Sequence, residues 1–182
     1  MDSDSILATT HLRLRYQRKE DTSFLLDLWT DPEMTKYTGG PRGKDLLLNE
    51  FRKVAHNPRE EEYDLWILVN KESNELVGQA GFIPKTIEQE VFIELNYYIR
   101  KAEWGKGYGT EIADKLKEYA FKVKGQESII AIIGKGNEAS KRVAEKIGMR
   151  YWKTVERESG EKLIYRVDKE GTRTARIGSH DE

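Results

Sequence analysis

Hydrophobic positions change their spacing several times along the chain, and each spacing predicts an element. Apolar and basic residues alternate in residues 11–16, HLRLRY, which predicts a half-buried strand. Apolar residues then recur at helical intervals and predict two helices, the first closed by Pro32 and the second ending near residues 56–58. The glycines and proline of residues 39–43 predict the loop between them. The first third of the chain is therefore predicted to hold one strand and two helices.

Strands dominate the middle of the chain. Residues 63–70 and 75–84 are two apolar runs around the segment KESN and are predicted to pair as a hairpin. The apolar and aromatic run EVFIELNYYIR, residues 90–100, predicts the next strand and the longest one. Further on, SIIAII in residues 128–133 is apolar throughout, which is typical of a central strand covered on both faces.

Two more helices and a last hairpin are predicted around that central strand. The first helix carries a stripe of residues at helical spacing that we expect to be buried: Ile112, Leu116, Tyr119 and Val123. The second helix has a good N-cap in Asn137 and a typical C-terminal glycine in Gly148. Residues 149–157 and 162–169 are predicted to form the terminal hairpin.

The order of these elements indicates one mixed α/β domain: strand, two helices, three strands, helix, strand, helix and two strands. A chain of 182 residues has the length of a single domain with a substantial core. We expect a disordered or loosely held N-terminus in residues 1–9, the folded domain in residues 10–168, and a flexible C-terminal tail in residues 169–182.

Composition narrows the chemistry before any motif is considered. The chain has no cysteine, which excludes disulfides, thiolate metal sites and cysteine nucleophiles. Its histidines, residues 11, 56 and 180, have no ligand spacing, so no metal is expected. A net charge of -1 gives no electrostatic reason to expect nucleic acid or a membrane as partner. The N-terminus lacks a signal-peptide pattern and no apolar run approaches a membrane span, so we expect a cytoplasmic protein.

A glycine-rich turn separates the long strand from the helix that follows it. EWGKGYGTEI, residues 103–112, places Gly105, Gly107 and Gly109 at alternate positions. Glycines let the backbone approach an anion, and a helix N-terminus offers unpaired amides and partial positive charge. The sequence lacks the P-loop pattern, and Thr110 stands where a dinucleotide-binding turn has its third glycine. A phosphate site of another kind is therefore expected, and a tight turn without a ligand is the alternative.

Two segments around this turn carry a resemblance to a known family. IELNYYIRKAEWGKGYGTEIADKL and, further on, IIGKGNEASKRVAEKIGMR are similar to the GCN5-related N-acetyltransferase (GNAT) family, most closely to the branch that acetylates ribosomal-protein N-termini. The resemblance covers residues 10–168. It implies the GNAT fold, a single mixed, mostly antiparallel sheet flanked by helices, with a splayed central pair of strands. It also implies transfer of an acetyl group from acetyl-CoA, a cosubstrate used without a metal, to a primary amine.

The resemblance further implies where acetyl-CoA binds. The family motif Q/R-x-x-G-x-G/A corresponds to residues 104–109, whose amides would hold the pyrophosphate, and Trp104 departs from Gln or Arg at its first position. The pantetheine arm is implied to pair with the end of the long strand, and the family's N-x-x-S corresponds to NEAS. The implied coenzyme-binding residues are Tyr98, Ile99, Arg100, Trp104, Gly105, Lys106, Gly107, Tyr108, Gly109, Thr110 and Asn137.

Glu94 is the candidate general base for the amine. It interrupts an otherwise apolar strand, so partial burial is expected to raise its pKa toward neutrality. The resemblance implies a base at this position that acts through a water, whereas a place on the solvent face is the alternative. The resemblance also implies that Ser140 protonates or hydrogen-bonds the leaving thiolate, with Tyr151, Tyr165 or water as alternative acids.

The acceptor amine and the assembly stay open at this stage. A protein N-terminus, a polyamine, an amino sugar and a small amine metabolite all suit the implied fold. The acidic run in residues 59–64 is expected to be a solvated loop, with attraction of a cationic amine as the alternative. Monomers and dimers both occur in the branch, and we favour a homodimer. The competing functions are a non-catalytic CoA-binding or interaction module and, less favoured, a nicotinamide-dinucleotide oxidoreductase.

Overall fold

An open sheet of eight strands forms the centre of the molecule in the computed structural model, which describes residues 4–170. Its strands are β1 Ser5–Ala8, β2 Leu12–Arg15, β3 Leu65–Asn70, β4 Leu76–Ile87, β5 Glu90–Ile99, β6 Ser128–Gly134, β7 Arg150–Arg157 and β8 Gly160–Asp168. The α-helices are α1 Thr22–Thr30, α2 Pro32–Thr35, α3 Lys44–His56, α4 Tyr108–Lys122 and α5 Glu138–Lys146. Short 3₁₀ helices, Lys19–Asp21 and Lys101–Glu103, precede α1 and follow β5.

One pair of neighbouring strands breaks the antiparallel pattern of the sheet. The spatial order is β1-β2-β3-β4-β5-β6-β8-β7, and β5 and β6 run parallel while the other neighbours run antiparallel. β5 pairs with β4 along its whole length, but with β6 it shares only the pair Glu94 and Ile130. The two strands therefore diverge. The predicted fold class, a mixed and mostly antiparallel sheet with a splayed central pair, is confirmed.

Alternation along the strands divides the apolar core between the two faces of the sheet. On β3, Trp66 and Leu68 belong to the cluster that α4 covers, while Ile67 and Val69 belong to the cluster that α1 and α3 cover. Leu116 of α4 is fully buried in the first cluster. Complete burial of one such side chain contributes roughly 1.5–3 kcal/mol, so both faces are firmly held.

The sheet begins with a strand that the sequence pattern did not predict. Ser5–Ala8 pairs with β2 at the edge of the sheet, so the expectation of a loosely held terminus is wrong for these residues. Leu7 is 9% exposed and lies opposite Leu14, and this apolar contact holds the short segment in place. Four residues surrounded by polar ones are too few for their alternation to stand out.

Two element boundaries differ from the prediction. Pro32 follows α1 as predicted, but it also begins α2, because Asp31 caps that helix by accepting from the Glu33 N–H at 2.8 Å. β4, not β5, is the longest strand, since it continues beyond its apolar run to a two-residue turn. The turn residues Glu88 and Gln89 both have positive φ, as hairpins with this turn length favour.

The last position of the predicted α4 stripe does not face the core. Val123 is 65% exposed because the helix ends at Lys122, and Ala120 is buried instead. Within residues 4–170, no helix is long and apolar enough to cross a membrane. Most of the tail predicted to be flexible, together with His180, lies in residues 171–182, outside the described part of the chain.

Candidate active site

A cavity lies where β5 and β6 diverge. Its volume is about 910 Å³, and it extends from the glycine turn and the start of α5 to α2 and the β7–β8 hairpin. Residues 94–99 of β5 and residues 131–134 of β6 form its central walls. Because consecutive residues of β5 point to opposite faces, the cavity connects the two faces of the sheet. In the described residues, no group of three or more His, Asp or Glu side chains is arranged to hold a metal.

The glycine turn leaves the start of α4 without a side-chain cap. Gly105 and Gly107 have φ values of 81° and 82°, the left-handed conformation that favours glycine. Gly107 is the N-cap of α4 and offers no side-chain hydrogen bond, so the first amides of the helix lack an acceptor. α5 differs, because the Asn137 side chain accepts from the Ser140 N–H at 3.2 Å. An anion at the start of α4 would meet unpaired donors.

Most of the coenzyme residues that the resemblance implies surround this cavity. Those in its wall are Tyr98, Ile99, Trp104, Gly105, Gly107, Tyr108, Gly109, Thr110 and Asn137. Trp104 has a further role, since its Nε1 donates to the Ile99 carbonyl at 2.7 Å and ties the turn to the end of β5. Trp104, which stands where the family motif has Gln or Arg, therefore makes a structural hydrogen bond of its own.

Arg100 and Lys106 lie outside the cavity wall and both contact Glu103. Arg100 Nη2 is 2.9 Å and Lys106 Nζ is 2.8 Å from the Glu103 carboxylate, which is 7% exposed and lines the cavity. The hydrogen bond from Lys106 is the largest of the effects that lower the pKa of Glu103. Sequence reasoning missed Glu103, although its spacing of three residues from each cation was a signal. Coenzyme contacts by Arg100 and Lys106, like those by the residues of the wall, stay predictions.

Glu94 is buried on the sheet face that meets α1 and α3. It is 5% exposed and lines the cavity, so the alternative of a solvent-facing position is wrong. Burial raises the pKa of Glu94, as predicted, although Asn96, Lys85, the Ile132 N–H and Arg157 each act to lower it. Because burial outweighs these contacts, the carboxyl group holds its proton to higher pH than an exposed glutamate does.

A chain of hydrogen bonds fixes the strand around Glu94. The Tyr98 hydroxyl donates to Asn96 Oδ1 at 2.9 Å, and Asn96 Nδ2 donates to the Glu94 carbonyl at 3.2 Å. The Tyr98 ring packs against Trp29 of α1 with 4.6 Å between ring centroids. The side of the cavity nearest α1 is therefore rigid and mostly aromatic.

Ser140 meets an unpredicted residue, Tyr97, on the other face of β5. Ser140 lies in the first turn of α5 and lines the cavity. The Tyr97 hydroxyl is buried without a hydrogen-bond partner in the described residues, yet Ser140 is close enough to oppose the rise in the pKa of Tyr97 that burial causes. Gly109 of α4 faces the same ring closely, since an added Cβ there would be 3.2 Å from the Tyr97 ring. Alternation separates Tyr97 from Tyr98, but the sequence does not show which one faces the turn.

The two alternative tyrosine acids lie elsewhere. The Tyr151 hydroxyl pairs with that of Thr154 at 2.9 Å, and the Tyr165 hydroxyl donates to Glu145 at 3.4 Å. Neither tyrosine belongs to the cavity wall. Ser140 and Tyr97 are thus the hydroxyl groups that stand between α5 and β5 at the cavity.

Comparison with known proteins identifies the family of this chain. The model of the acetyltransferase (GNAT) domain matches residues 11–150, more than half of the chain. The chain belongs to the GNAT family. It is 34% identical over 156 residues to the uncharacterized protein YkkB of Bacillus subtilis, a match that covers 85% of this chain and 91% of YkkB.

Two solved structures share the fold at low sequence identity. A spermidine N-acetyltransferase from Vibrio cholerae, in complex with CoA and spermine, has a TM-score of 0.73 at 15% identity and covers 87% of this chain and 96% of its own. A ribosomal-protein-S5-alanine acetyltransferase from Vibrio fischeri has a TM-score of 0.68 at 15% identity, and the match covers 92% of this chain and 97% of that protein. The acceptors in these two names differ, so membership in the ribosomal-protein branch stays a prediction.

Proposed function

We propose that this GNAT protein is an acetyl-CoA-dependent N-acetyltransferase that moves an acetyl group to a primary amine by direct attack. The observation that carries the proposal is the cavity through the sheet, with uncapped α4 amides at one end and buried Glu94 at the other. Family membership supports acetyl transfer. The CoA complex of the spermidine enzyme supports the choice of coenzyme.

The residues around the glycine turn fit acetyl-CoA. The uncapped amides of α4 suit a pyrophosphate. Beyond Glu94, the edge of β5 that faces β6 has no strand partner, which suits the amide groups of a pantetheine arm. Among the described residues, the buried Tyr97 hydroxyl has no hydrogen-bond partner either. When bound, acetyl-CoA supplies an activated acetyl thioester.

Glu94 is proposed to accept a proton from the acceptor amine, directly or through a water. An alkyl amine has a pKa of about 10 and is mostly protonated at neutral pH, so it must lose a proton before it attacks. A carboxylate near water is too weak a base for this task. The raised pKa of Glu94 brings it closer to the pH at which the enzyme would work.

Tyr97 and Ser140 are proposed to return a proton to the departing sulfur. After Glu94 has taken one proton, the neutral amine attacks, the nitrogen–carbon bond forms and the carbon–sulfur bond breaks. The nitrogen then loses a second proton, which replaces the proton that the hydroxyl group gives to the sulfur. Tyr97 is the better donor of the two, because a phenol is a stronger acid than an alcohol, although burial raises the pKa of Tyr97. In this arrangement Tyr97 donates and Ser140 orients it.

The test measures coenzyme binding and turnover separately. Calorimetry should detect binding of acetyl-CoA and none of NADH, and a thiol assay should detect CoA release that depends on added primary amine. Binding of acetyl-CoA without release on any amine would favour the non-catalytic CoA-binding module. Binding of NADH alone would favour the oxidoreductase.

A further inference from the structure

Two cationic side chains line the acceptor side of the cavity without an ion-pair partner. Lys85 lies on β4 and Arg157 ends β7, and both belong to the cavity wall. Within residues 4–170 neither forms a salt bridge, and Arg157 makes a long contact of 3.5 Å with the Thr86 carbonyl. A nearby lysine outside the wall differs, since Lys153 pairs with Glu88 at 2.6 Å. The positive charges of Lys85 and Arg157 are therefore available to a ligand.

Both cations lie beside the proposed base. Ile83 is the residue of β4 opposite Glu94, and Lys85 is two positions further along the same face. Such diagonal neighbours lie about 7–8 Å apart, which is within reach of a long side chain. Lys85 and Arg157 both act on the charge of Glu94. A ligand that touches Glu94 would thus come close to both cations.

Carboxylates also line this end of the cavity, and Glu94 itself is one of them. Glu158 lines the cavity at the tip of the β7–β8 hairpin and, like its neighbour Arg157, is exposed to water. Glu33 is 3.8 Å from Lys101, and the acidic run in residues 59–64 is not part of the wall. Lys162, which is 8% exposed, adds a third positive charge, and its Nζ donates to the Tyr37 carbonyl at 3.0 Å. Because Glu94 is proposed to act on the amine, Lys85 and Arg157 are the groups beside it that can attract an anionic part of the same molecule.

We infer that the acceptor is a primary amine that also carries an anionic group, a carboxylate or a phosphate, which Lys85 and Arg157 bind while the amine faces Glu94. The inference rests on the proposed N-acetyltransferase function. The planar guanidinium of arginine matches the oxygens of either anion, and lysine adds a compact positive charge. A polyamine such as spermidine would bring like charges together at this end and is expected to be a poor acceptor.

Matched amines test this inference directly. β-Alanine is compared with β-alaninamide, and phosphoethanolamine with ethanolamine. In each pair the first amine carries an anionic group and is called the anionic member, and the second lacks that group and is called the neutral member. Spermidine is the cationic probe. We expect kcat/KM to be higher by about tenfold or more for the anionic member of at least one pair, and lowest for spermidine. The pair that responds distinguishes a carboxylate from a phosphate.

Variants assign the preference to the two cations. Lys85→Met and Arg157→Met should each lower the ratio of kcat/KM for the anionic amine to that for the neutral amine, by about tenfold. The ratio cancels any effect of the lost charge on Glu94, because both amines use the same base. Lys146→Met, at an exposed lysine of α5 outside the cavity wall, is the control and should leave the ratio unchanged.

Several results would overturn the inference. The wild-type protein could use the neutral amines or spermidine as well as the anionic amines, or it could use neither anionic probe. The third contradicting result is a ratio of kcat/KM values that is unchanged in both variants. Failure of the proposed function is distinguishable from these, because acetyl-CoA would then not bind and no amine would release CoA.

Discussion

Glu94 is buried and also lines the cavity. The rise in its pKa affects both the stability of the folded protein and the reactivity of the carboxylate. Its pKa is higher in the folded protein than in the unfolded chain, because burial disfavours the charged form. The folded state therefore binds the proton more tightly, and stability is lost as the pH rises from the unfolded pKa through the raised one. The ionised carboxylate is nevertheless the form that can accept a proton. The protein thus gives up stability over the pH range in which the proposed base loses its proton.

Glu94→Gln should separate these two effects. Loss of the base should lower kcat by about 10²–10⁴ and remove the rise of kcat with pH. Loss of a buried charge should raise the Tm above that of the wild type, more at neutral pH than in acid. Rate profiles and thermal melts over the same pH series measure both. Glu90→Gln, at an exposed glutamate of β5, is the control and should change neither; a normal kcat in Glu94→Gln would contradict its role as base.

Tyr97→Phe removes a buried hydroxyl that lacks a partner. An unsatisfied buried polar group costs about 1–3 kcal/mol, so the Tm should stay constant or rise. We expect kcat to fall by about 10²-fold with little change in the KM for acetyl-CoA, because the group acts on the departing sulfur. Tyr165→Phe, whose hydroxyl contacts Glu145 away from the cavity, should keep the wild-type kcat. Equal rates in both variants would leave Ser140 or water as the donor.

At the scale of elements, α4 and α5 begin at the same cavity but differ in how they are capped. α5 uses the Asn137 side chain to satisfy an amide of its first turn, whereas α4 starts from Gly107 with no side-chain acceptor. An uncapped start is normally less stable, by about 1 kcal/mol relative to a good cap. The difference is consistent with an external acceptor at α4.

Gly107→Ala should weaken that site through the backbone. No atom lies within 4 Å of an added Cβ, but alanine at a φ of 82° costs about 1–2 kcal/mol, so the turn should relax. We expect the Kd for acetyl-CoA, measured by calorimetry, to rise about tenfold. Gly125→Ala is the control, because its φ of 66° and open surroundings impose similar strain outside the cavity wall. Equal weakening in both variants would point to lost stability instead of turn geometry.

The sequence predicted the elements well where an apolar spacing extended over many residues. α4, β5 and β6 are examples, and the burial of Glu94 followed from its place in an apolar strand. Contacts between distant elements were not predictable in this way. Tyr97 was missed because alternation does not say which face meets the glycine turn. Lys85 and Arg157 meet only because the fold brings β4 and β7 to one cavity.

At the scale of the whole molecule, the sheet is joined across its middle by a single backbone pair. β1 to β5 form one part, β6 to β8 form the other, and Glu94 and Ile130 are the paired residues between them. Amides of β5 that point toward β6 beyond Glu94 should therefore exchange with solvent faster than those bonded to β4. Hydrogen-exchange measurements should show that acetyl-CoA slows this fast group. Equal protection with and without acetyl-CoA would contradict binding along the edge of β5.

The opening between β5 and β6 also has a consequence for the order of events. The glycine turn and Tyr97 lie toward one face of the sheet, while Glu94, Lys85 and Arg157 lie toward the other. The proposed sites for acetyl-CoA and the amine would therefore be reached from opposite faces, and the two reactants would not compete for one entrance. Neither must leave before the other arrives, so the acetyl group has no need to rest on the protein between them. The divergence of two neighbouring strands thus gives a single small domain room for two molecules to meet inside it.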